Sequence, residues 1–464
     1  MVTTRFAPSP SGHLHLGSAR TALFNWLLAK NNDGKFLLRI EDTDKERSKN
    51  QYIEDIISSL SWLGIDYDDN ITYQSKRTDR YKDVIQQLLD NDSAYYCDCS
   101  SEELDRMRKE QQSKGLKPKY DGRNRNKELK YKKGNVIRFK TPQEGSIEFS
   151  DTLKGIISID NKELDDLIIA RSDGSPTYNL CVVVDDMDMG ITHIIRGDDH
   201  VNNTPRQIHI LNSLGYKLPT YSHLPLIMGS DGKKLSKRHG AVSVYDYRAD
   251  GILPQAFINY LSRLGWGAGN KEKFLTEELI SLFTVDGFNK SAANFDIKKL
   301  HSVNKYFMKE LEIDDIYKEF RHLTSDYDYL GDEKIYQIIN ILRGRVKTVK
   351  EIIDNCIFLI DSDFDTPSNL RNKFFIKENL LLYSLIKDKI LQISEWEQEN
   401  IKLMIDSALD ELSIEMPEFA QPIRVGLTGT TSSPSIDIII FLLGKDECIK
   451  RINNVIESIA WQYA

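Results

Sequence analysis

The 464-residue sequence is poor in several features, and each shortage excludes something. It has five cysteines, an odd number and mostly scattered. A disulfide framework is therefore not expected, and a reducing compartment, the cytoplasm, is. The longest apolar runs, such as Ile438 to Leu443, are far too short to span a bilayer, so no membrane partner is expected. No basic stretch followed by an apolar one opens the chain, and no signal peptide is expected. Positive charge is not in excess: 62 Lys and Arg stand against 70 Asp and Glu, a net charge of −8. Any nucleic-acid partner must then be met by local basic surface. Nothing matches the dinucleotide fingerprint G-x-G-x-x-G or the P-loop G-x-x-x-x-G-K-[ST]. There is no internal repeat and no low-complexity segment. At this length the chain should hold several domains, each burying its own core.

What is present is organised around Arg5-Phe6-Ala7-Pro8-Ser9-Pro10-Ser11-Gly12-His13-Leu14-His15-Leu16-Gly17. A strand-like run, Val2 to Phe6, precedes it. A helix-like run, Ser18 to Lys30, follows it, and a second strand-like run covers Lys35 to Ile40. Strand, tight turn, helix and strand make the skeleton of a nucleotide-binding βαβ unit. Gly12 and Gly17 carry no Cβ and let a ligand approach the backbone. Ser18 is the expected N-cap, and the helix it opens aims bare N–H groups and partial positive charge at the turn. A nucleotide phosphate fits there, with His15 as an added donor. Most lone histidines are structural, so a second motif has to carry the reading. It lies far downstream, in Gly232-Lys233-Lys234-Leu235-Ser236-Lys237-Arg238-His239-Gly240.

Together these two stretches resemble the HIGH and KMSKS motifs of class I aminoacyl-tRNA synthetases, here His15-Leu16-Gly17-Ser18 and Lys234-Leu235-Ser236-Lys237-Arg238. The flanks, RFAPSPSG before the first and HGAVSV after the second, resemble bacterial glutamyl-tRNA synthetases more closely than other members. The resemblance extends along most of the chain.

Between the motifs, Glu41-Asp42-Thr43-Asp44 follows a strand, where ligands of open α/β sheets bind. Ile53, Ile56, Ile57, Leu60 and Leu63 fall at helical spacing, ended by Gly64. Between Asp105 and Lys140 fourteen Lys and Arg face four Asp and Glu, with Tyr120 and Tyr131 interleaved. Phosphate neutralisation with an aromatic stack suits single-stranded nucleic acid, although such runs are more often solvated surface. The family inserts its acceptor-stem domain here, which favours the functional reading. Cys97-Asp98-Cys99 invites zinc, which needs four ligands. Some relatives supply the second pair after a Tyr-Asp-Gly; here Tyr120-Asp121-Gly122-Arg123-Asn124-Arg125-Asn126 has none, which implies a lost zinc site and no bound metal. Leu180 to Val184 and His193 to Ile195 read as buried parallel strands. Arg196 ends the second, and its bland reading is a salt bridge to Asp198 or Asp199. His193, His209 and His223 read as capping or packing residues. Beyond Tyr247 the pattern is largely helical, with Ile335, Ile338, Ile339 and Leu342 as one example. Asn304, Tyr306 and Arg424 to Gly429 also resemble the family.

The implied fold is an α/β N-terminal half, a Rossmann-type parallel sheet with an inserted acceptor-binding domain, followed by an all-α C-terminal half. The implied segments are 1–75 and 185–245 for the catalytic fold, 76–184 for the insertion, 246–311 for a helical stem-contact domain and 312–464 for the anticodon-binding domain. The implied reaction joins L-glutamate to the 3′ end of tRNA(Glu) through a glutamyl-adenylate, with Mg²⁺ arriving on ATP. By resemblance His15, Lys234 and Lys237 are catalytic. Pro8, Ser9, Gly12, His15, Gly17, Ser18 and Lys237 hold ATP. Arg5, Ala7, Ser9, Glu41, Tyr178 and Arg196 hold glutamate. Two arginines suit a carboxylate, and glutaminyl enzymes do not need the second. The family expectation is a monomer that does not bind DNA. Charging of tRNA(Gln), alone or as well, stays open. The alternatives are a truncated relative that glutamylates a tRNA base, a nucleotidylyltransferase with a HIGH-type turn, and a non-catalytic RNA-binding paralogue.

Overall fold

The computed structural model describes residues 1–44, 47–235, 243–325, 330–360 and 365–463. The chain divides into two compact units: residues 1–248 with 254–303, and residues 249–253 with 304–464.

The first unit begins as the sequence implies. Strand β1 is Thr3–Phe6, helix α1 is Leu16–Asn31 and strand β2 is Lys35–Ile40. β1 and β2 pair in parallel, Thr3 against Lys35 to Phe6 against Leu38. The reversal between α1 and β2 is tight enough to require glycine: a Cβ on Gly34 would meet the Val2 carbonyl oxygen at 2.1 Å. Helix α2 is Asn50–Trp62, and strand β3, Asp68–Tyr73, extends the sheet in parallel beside β2. After helix α3, Thr78–Asp90, comes strand β4, Ala94–Cys97, and helix α4, Ser101–Ser113. Ser100 caps α4 in a reciprocal box with Glu103. Strand β5, Val136–Phe139, pairs antiparallel with β4. Strand β6, Ser146–Asp151, and strand β7, Gly155–Asp160, form an antiparallel pair, and strand β8, Ile168–Ala170, joins β5.

Helix α5, Tyr178–Asp188, corrects the sequence reading. Leu180 to Val184 were expected as a strand; all five lie inside this helix and all are buried. A helix packed on every side shows no polar face, and a short apolar run carries no period that separates helix from strand. Strand β9, His193–Gly197, then returns to the sheet, followed by helix α6, Thr204–Ser213, and strand β10, Thr220–Leu224, parallel to β9. β10 also pairs in parallel with β6, Tyr221 opposite Asp151. The two parallel groups meet where the Thr192 amide donates to the Thr3 carbonyl at 3.0 Å and the Thr3 amide to the Thr192 hydroxyl at 2.8 Å. α1 is tied across them by Asn25, whose Nδ2 donates to the Ile195 carbonyl at 3.0 Å and whose carbonyl accepts the Thr4 hydroxyl at 2.8 Å. The C-terminal ends of β1, β2, β9 and β10 therefore share one edge, the position of the ligand crevice in such sheets.

The second unit is helical. Leu380–Gln392, Gln398–Leu412, Met416–Thr428, Ile436–Leu443 and Lys445–Tyr463 enclose a core that includes Tyr383, Ile386, Ile405, Phe419, Ile423, Ile440 and Ile452. Pro422 sits inside Met416–Thr428, and its carbonyl accepts the buried Tyr383 hydroxyl at 2.9 Å. Gly426 lets the same ring approach, since a Cβ there would lie 3.1 Å from it. Asn304 binds the strap at 249–253: its Oδ1 accepts the Leu253 amide at 2.8 Å, and its Nδ2 donates to the Lys347 carbonyl at 2.6 Å. Ile335, Ile338, Ile339 and Leu342 line the buried face of Asp332–Leu342, as their spacing implies.

Candidate active site

A cleft of ≈ 440 Å³ opens at the shared strand edge of the first unit. Arg5, Ala7, Pro8, Ser9, His15, Gly17, Ser18, Glu41, Tyr178, Arg196 and Lys234 all line it. Gly12 is not among the lining residues, and the space beside its Cα is open. Lys237 lies outside the described residues.

At one end the turn after β1 delivers α1. Its N-cap is His15, not Ser18: His15 Nδ1 accepts the Gly17 amide at 3.2 Å, so the imidazole does the work expected of a hydroxyl. With Nδ1 accepting, the ring proton of the neutral imidazole sits on Nε2, free to donate. Burial, and secondarily Lys234, push the His15 pKa down, which favours that neutral form. Asp55 braces the turn from α2, its Oδ2 accepting the Leu14 amide at 2.8 Å. Lys234 bridges to Met228, and the Leu235 amide donates to the Ile227 carbonyl at 3.1 Å. Gly232, at φ +71°, makes the turn ahead of Lys234.

The other end is built on charge. Arg39 is fully buried on β2 and bonds Asp186 at 2.6 Å, with Glu41 at 3.4 Å and Asp185 at 3.7 Å. Arg5 Nε donates to the same Asp186 oxygen at 3.1 Å. Burial opposes ionisation of Asp186, but the two arginines win and hold its carboxyl below the usual range. Glu41 goes the other way: burial raises it against the pull of Arg39 and Arg5. Tyr178 is pushed up to about 12 by burial and by Glu41, so its hydroxyl keeps its proton. That hydroxyl lies 3.1 Å from His200 Nδ1.

Arg196 differs from the other two arginines. No salt bridge to Asp198 or Asp199 forms among the described residues; Asp198 pairs with Lys154 at 3.7 Å. Arg196 Nε donates to His223 Nε2 at 3.1 Å, and Nη2 donates to the Thr204 hydroxyl at 2.8 Å. Its Nη1 is buried with no partner. Burial, with no carboxylate paired to it among the described residues, lowers its pKa. A guanidinium in that state is costly unless a ligand anion completes it.

Sequence reasoning missed Arg39, Asp185, Asp186, Asp151 and the role of His223. Two adjacent acids after Val182-Val183-Val184 are a usable signal, since charges inside a buried run need cations. The strand assignment hid it.

The Cys97 region sits apart. Cys97 Sγ lies 3.5 Å from the Tyr120 hydroxyl and 3.4 Å from Arg138 Nε, and Asn124 Nδ2 is 3.7 Å away. Among the described residues no three His, Cys, Asp or Glu converge on one point, and a guanidinium faces the thiol, a poor setting for zinc. Tyr120 is buried under Arg138, 3.8 Å from its ring centre, and so cannot stack on a base; Tyr131 is exposed.

Comparison with known proteins gives the family. Residues 1–302 match the model of the class I tRNA synthetase (E and Q) catalytic domain, and residues 291–456 match an anticodon-binding domain. The chain belongs to the class I glutamyl- and glutaminyl-tRNA synthetase family. This synthetase is 46% identical over 462 residues to the glutamate–tRNA ligase of Nitrosomonas europaea, covering 98% of this chain and 99% of that one. It is 45% identical to that of Francisella tularensis subsp. novicida over 467 residues, 99% and 100% of the two chains. Among solved structures, the glutamate tRNA ligase of Elizabethkingia meningosepticum in complex with its amino acid matches with TM-score 0.82 at 32% identity, over 99% of both chains. No helix among the described residues is long and apolar enough to cross a membrane.

Proposed function

We propose that this synthetase activates L-glutamate with MgATP and transfers it to the 3′ end of tRNA(Glu). The glutamate α-carboxylate attacks the ATP α-phosphorus and pyrophosphate leaves; the tRNA terminal 2′-hydroxyl then takes the glutamyl group from the adenylate. The first step asks the protein for position and for cationic donors around the phosphorus. His15 Nε2–H and the bare amides at the start of α1 hold the phosphates. Lys234, and Lys237 from the sequence beyond it, attract the leaving pyrophosphate. Ser9, with Pro8, Gly17 and Ser18, lies along the nucleotide. In the amino-acid end Glu41 takes the ammonium, Tyr178 donates a hydroxyl, and Arg5 and Arg196 meet the side-chain carboxylate beside Ala7.

The observation that carries this reading is the buried, unpartnered Nη1 of Arg196 facing the same cleft as Glu41. One lining residue suits an anion and another suits a cation, the two charges that an amino acid with an acidic side chain presents. Arg196→Gln is expected to reduce kcat/KM for glutamate about a hundredfold, the size of a lost charge-assisted contact in a closed pocket. Unchanged glutamate kinetics would remove Arg196 from the pocket. Lys237→Ala is expected to slow adenylate formation about a hundredfold or more with little change in glutamate affinity, read by single-turnover kinetics. We place the enzyme in the cytoplasm as a monomer without resident zinc, a reading that metal analysis and sedimentation would check.

A further inference from the structure

Arg196 is held by a buried chain of polar groups that ends on Asp151. His223, on β10, is completely buried, and so is the Asp151 side chain at the end of β6. His223 Nδ1 lies 2.7 Å from Asp151 Oδ2, and the His223 amide donates to the same oxygen at 3.0 Å. Asp151 Oδ1 accepts the amides of Leu153 at 2.9 Å and Lys154 at 3.0 Å. The other ring nitrogen faces Arg196 Nε at 3.1 Å.

These contacts fix the imidazole. Arginine has only donors, so His223 Nε2 must offer a lone pair. The ring proton then belongs on Nδ1, where Asp151 accepts it. Tyr221 stacks against the ring with planes 5° apart, which sets the ring orientation. The Thr204 hydroxyl, 3.1 Å from Nε2, also accepts from Arg196 Nη2 at 2.8 Å. One edge of the guanidinium is thus fastened, and the Nη1 side is left to the cleft.

The contrast with Arg5 gives the arrangement its meaning. Arg5 is braced directly by a carboxylate, Asp186, which cancels much of its charge. Arg196 is braced by a neutral acceptor, and the nearest carboxylate behind that acceptor is already committed to four N–H donors. An imidazole orients the guanidinium without neutralising it.

We propose that His223, locked as its Nδ1–H tautomer by Asp151, is the positioning residue for Arg196 and thereby helps set this enzyme's preference for an acidic over an amide side chain. The inference rests on Arg196 being the carboxylate-binding residue of the proposed function.

The test is a cycle on the full-length enzyme, charging tRNA(Glu) with labelled glutamate. His223→Ala, His223→Gln, Asp151→Asn, Arg196→Gln and the double variant His223→Ala/Arg196→Gln are compared, with KM for ATP read in parallel and melting curves to confirm folding. His223→Ala is expected to raise the glutamate KM about tenfold, the effect of losing a hydrogen bond to a charged group, with the KM for ATP unchanged. His223→Gln, whose amide oxygen can accept from Arg196, recovers most of that loss. Asp151→Asn, which removes the acceptor that fixes the tautomer, raises the glutamate KM as well. In the Arg196→Gln background His223→Ala adds nothing further, since the two act as a unit. Independent, multiplying effects of the two substitutions, or an equal rise in both Michaelis constants, would overturn the positioning role. So would an unaltered glutamate KM in His223→Ala alongside an impaired Arg196→Gln. A normal Arg196→Gln enzyme would instead overturn the pocket reading, and this inference with it. Should His223→Ala fail to fold, the His223→Gln and Asp151→Asn values decide by the same criteria.

Discussion

Asp186 holds two arginines from neighbouring strands, and its removal strands both. Asp186→Asn keeps the shape but withdraws the charge that Arg5 and Arg39 share at 3.1 and 2.6 Å. Breaking one side of a buried pair leaves the other side uncompensated, and the expected loss is about 3 kcal/mol of stability, read by urea denaturation. A variant as stable as the parent would mean that water or Glu41 takes over the role. Arg5, Glu41, Tyr178 and Arg196, which line one cleft, could be named beforehand because each sits in a short contiguous stretch that resembles the family. Asp186, Asp151 and His223 were not, because their meaning lies in partners far along the chain: Arg5 and Arg39 for the first, each other, seventy-two residues apart, for the other two, with Arg196 as the further partner of His223. His223 looked like any packing histidine until its two nitrogens had names at the other end.

Among the elements, the basic stretch from the end of α4 into β5 separates into charge with a structural partner and exposed charge. Arg125 pairs with Asp166 at 2.8 Å, and Arg138 donates to the Asp166 carbonyl at 2.7 Å, so part of the surplus holds the segment together. Lys127, Lys130, Lys132 and Lys133 are exposed around the exposed Tyr131. Replacing these four lysines by glutamine is expected to weaken tRNA binding and to lower the salt dependence by as much as about 3 in log–log slope, at unchanged glutamate KM. An unaltered slope would make the segment solvated surface. Charge counting found this stretch, but it could not tell Tyr120 from Tyr131; burial under Arg138 decides that. The same limit applied to α5, where five apolar residues fit a strand or a buried helix equally well until the sheet was seen to be complete without them.

At the scale of the whole molecule, acid should weaken the fold through its buried histidines. His15, His193, His200, His209 and His223 all have pKa values lowered from 6.5, with burial the first cause in each. Above about pH 6.5 folded and unfolded chains are both neutral at these sites, and they contribute nothing to the pH dependence. Below it the unfolded chain takes up protons that the folded one refuses, so stability falls as pH drops. Asp151, Asp186 and Asp188, lowered by their partners, add a further loss at more acid pH. A melting temperature that is level between about pH 7 and 8 and declines from about pH 6.5 downward is the expected profile, with a second decline above about pH 9 where the buried thiols and phenols resist ionisation; a melting temperature that stays level from about pH 7 down to about pH 5 would contradict it. That an α/β N-terminal half with a parallel sheet precedes a helical C-terminal half was legible in motifs and periodicity. The packing around the cleft was not, because it is made of contacts between residues that no local pattern links.

The most direct test of the account is a charging assay with purified protein, ATP, Mg²⁺, labelled glutamate or glutamine, and tRNA(Glu) and tRNA(Gln) offered separately. The account predicts ATP-dependent attachment of glutamate to tRNA(Glu), none of glutamine, and loss of the glutamate signal in Arg196→Gln. Glutamate on tRNA(Gln) as well would extend the acceptor range and leave the pocket as described. Charging of glutamine in place of glutamate, or no charging of either tRNA by folded protein, would contradict it.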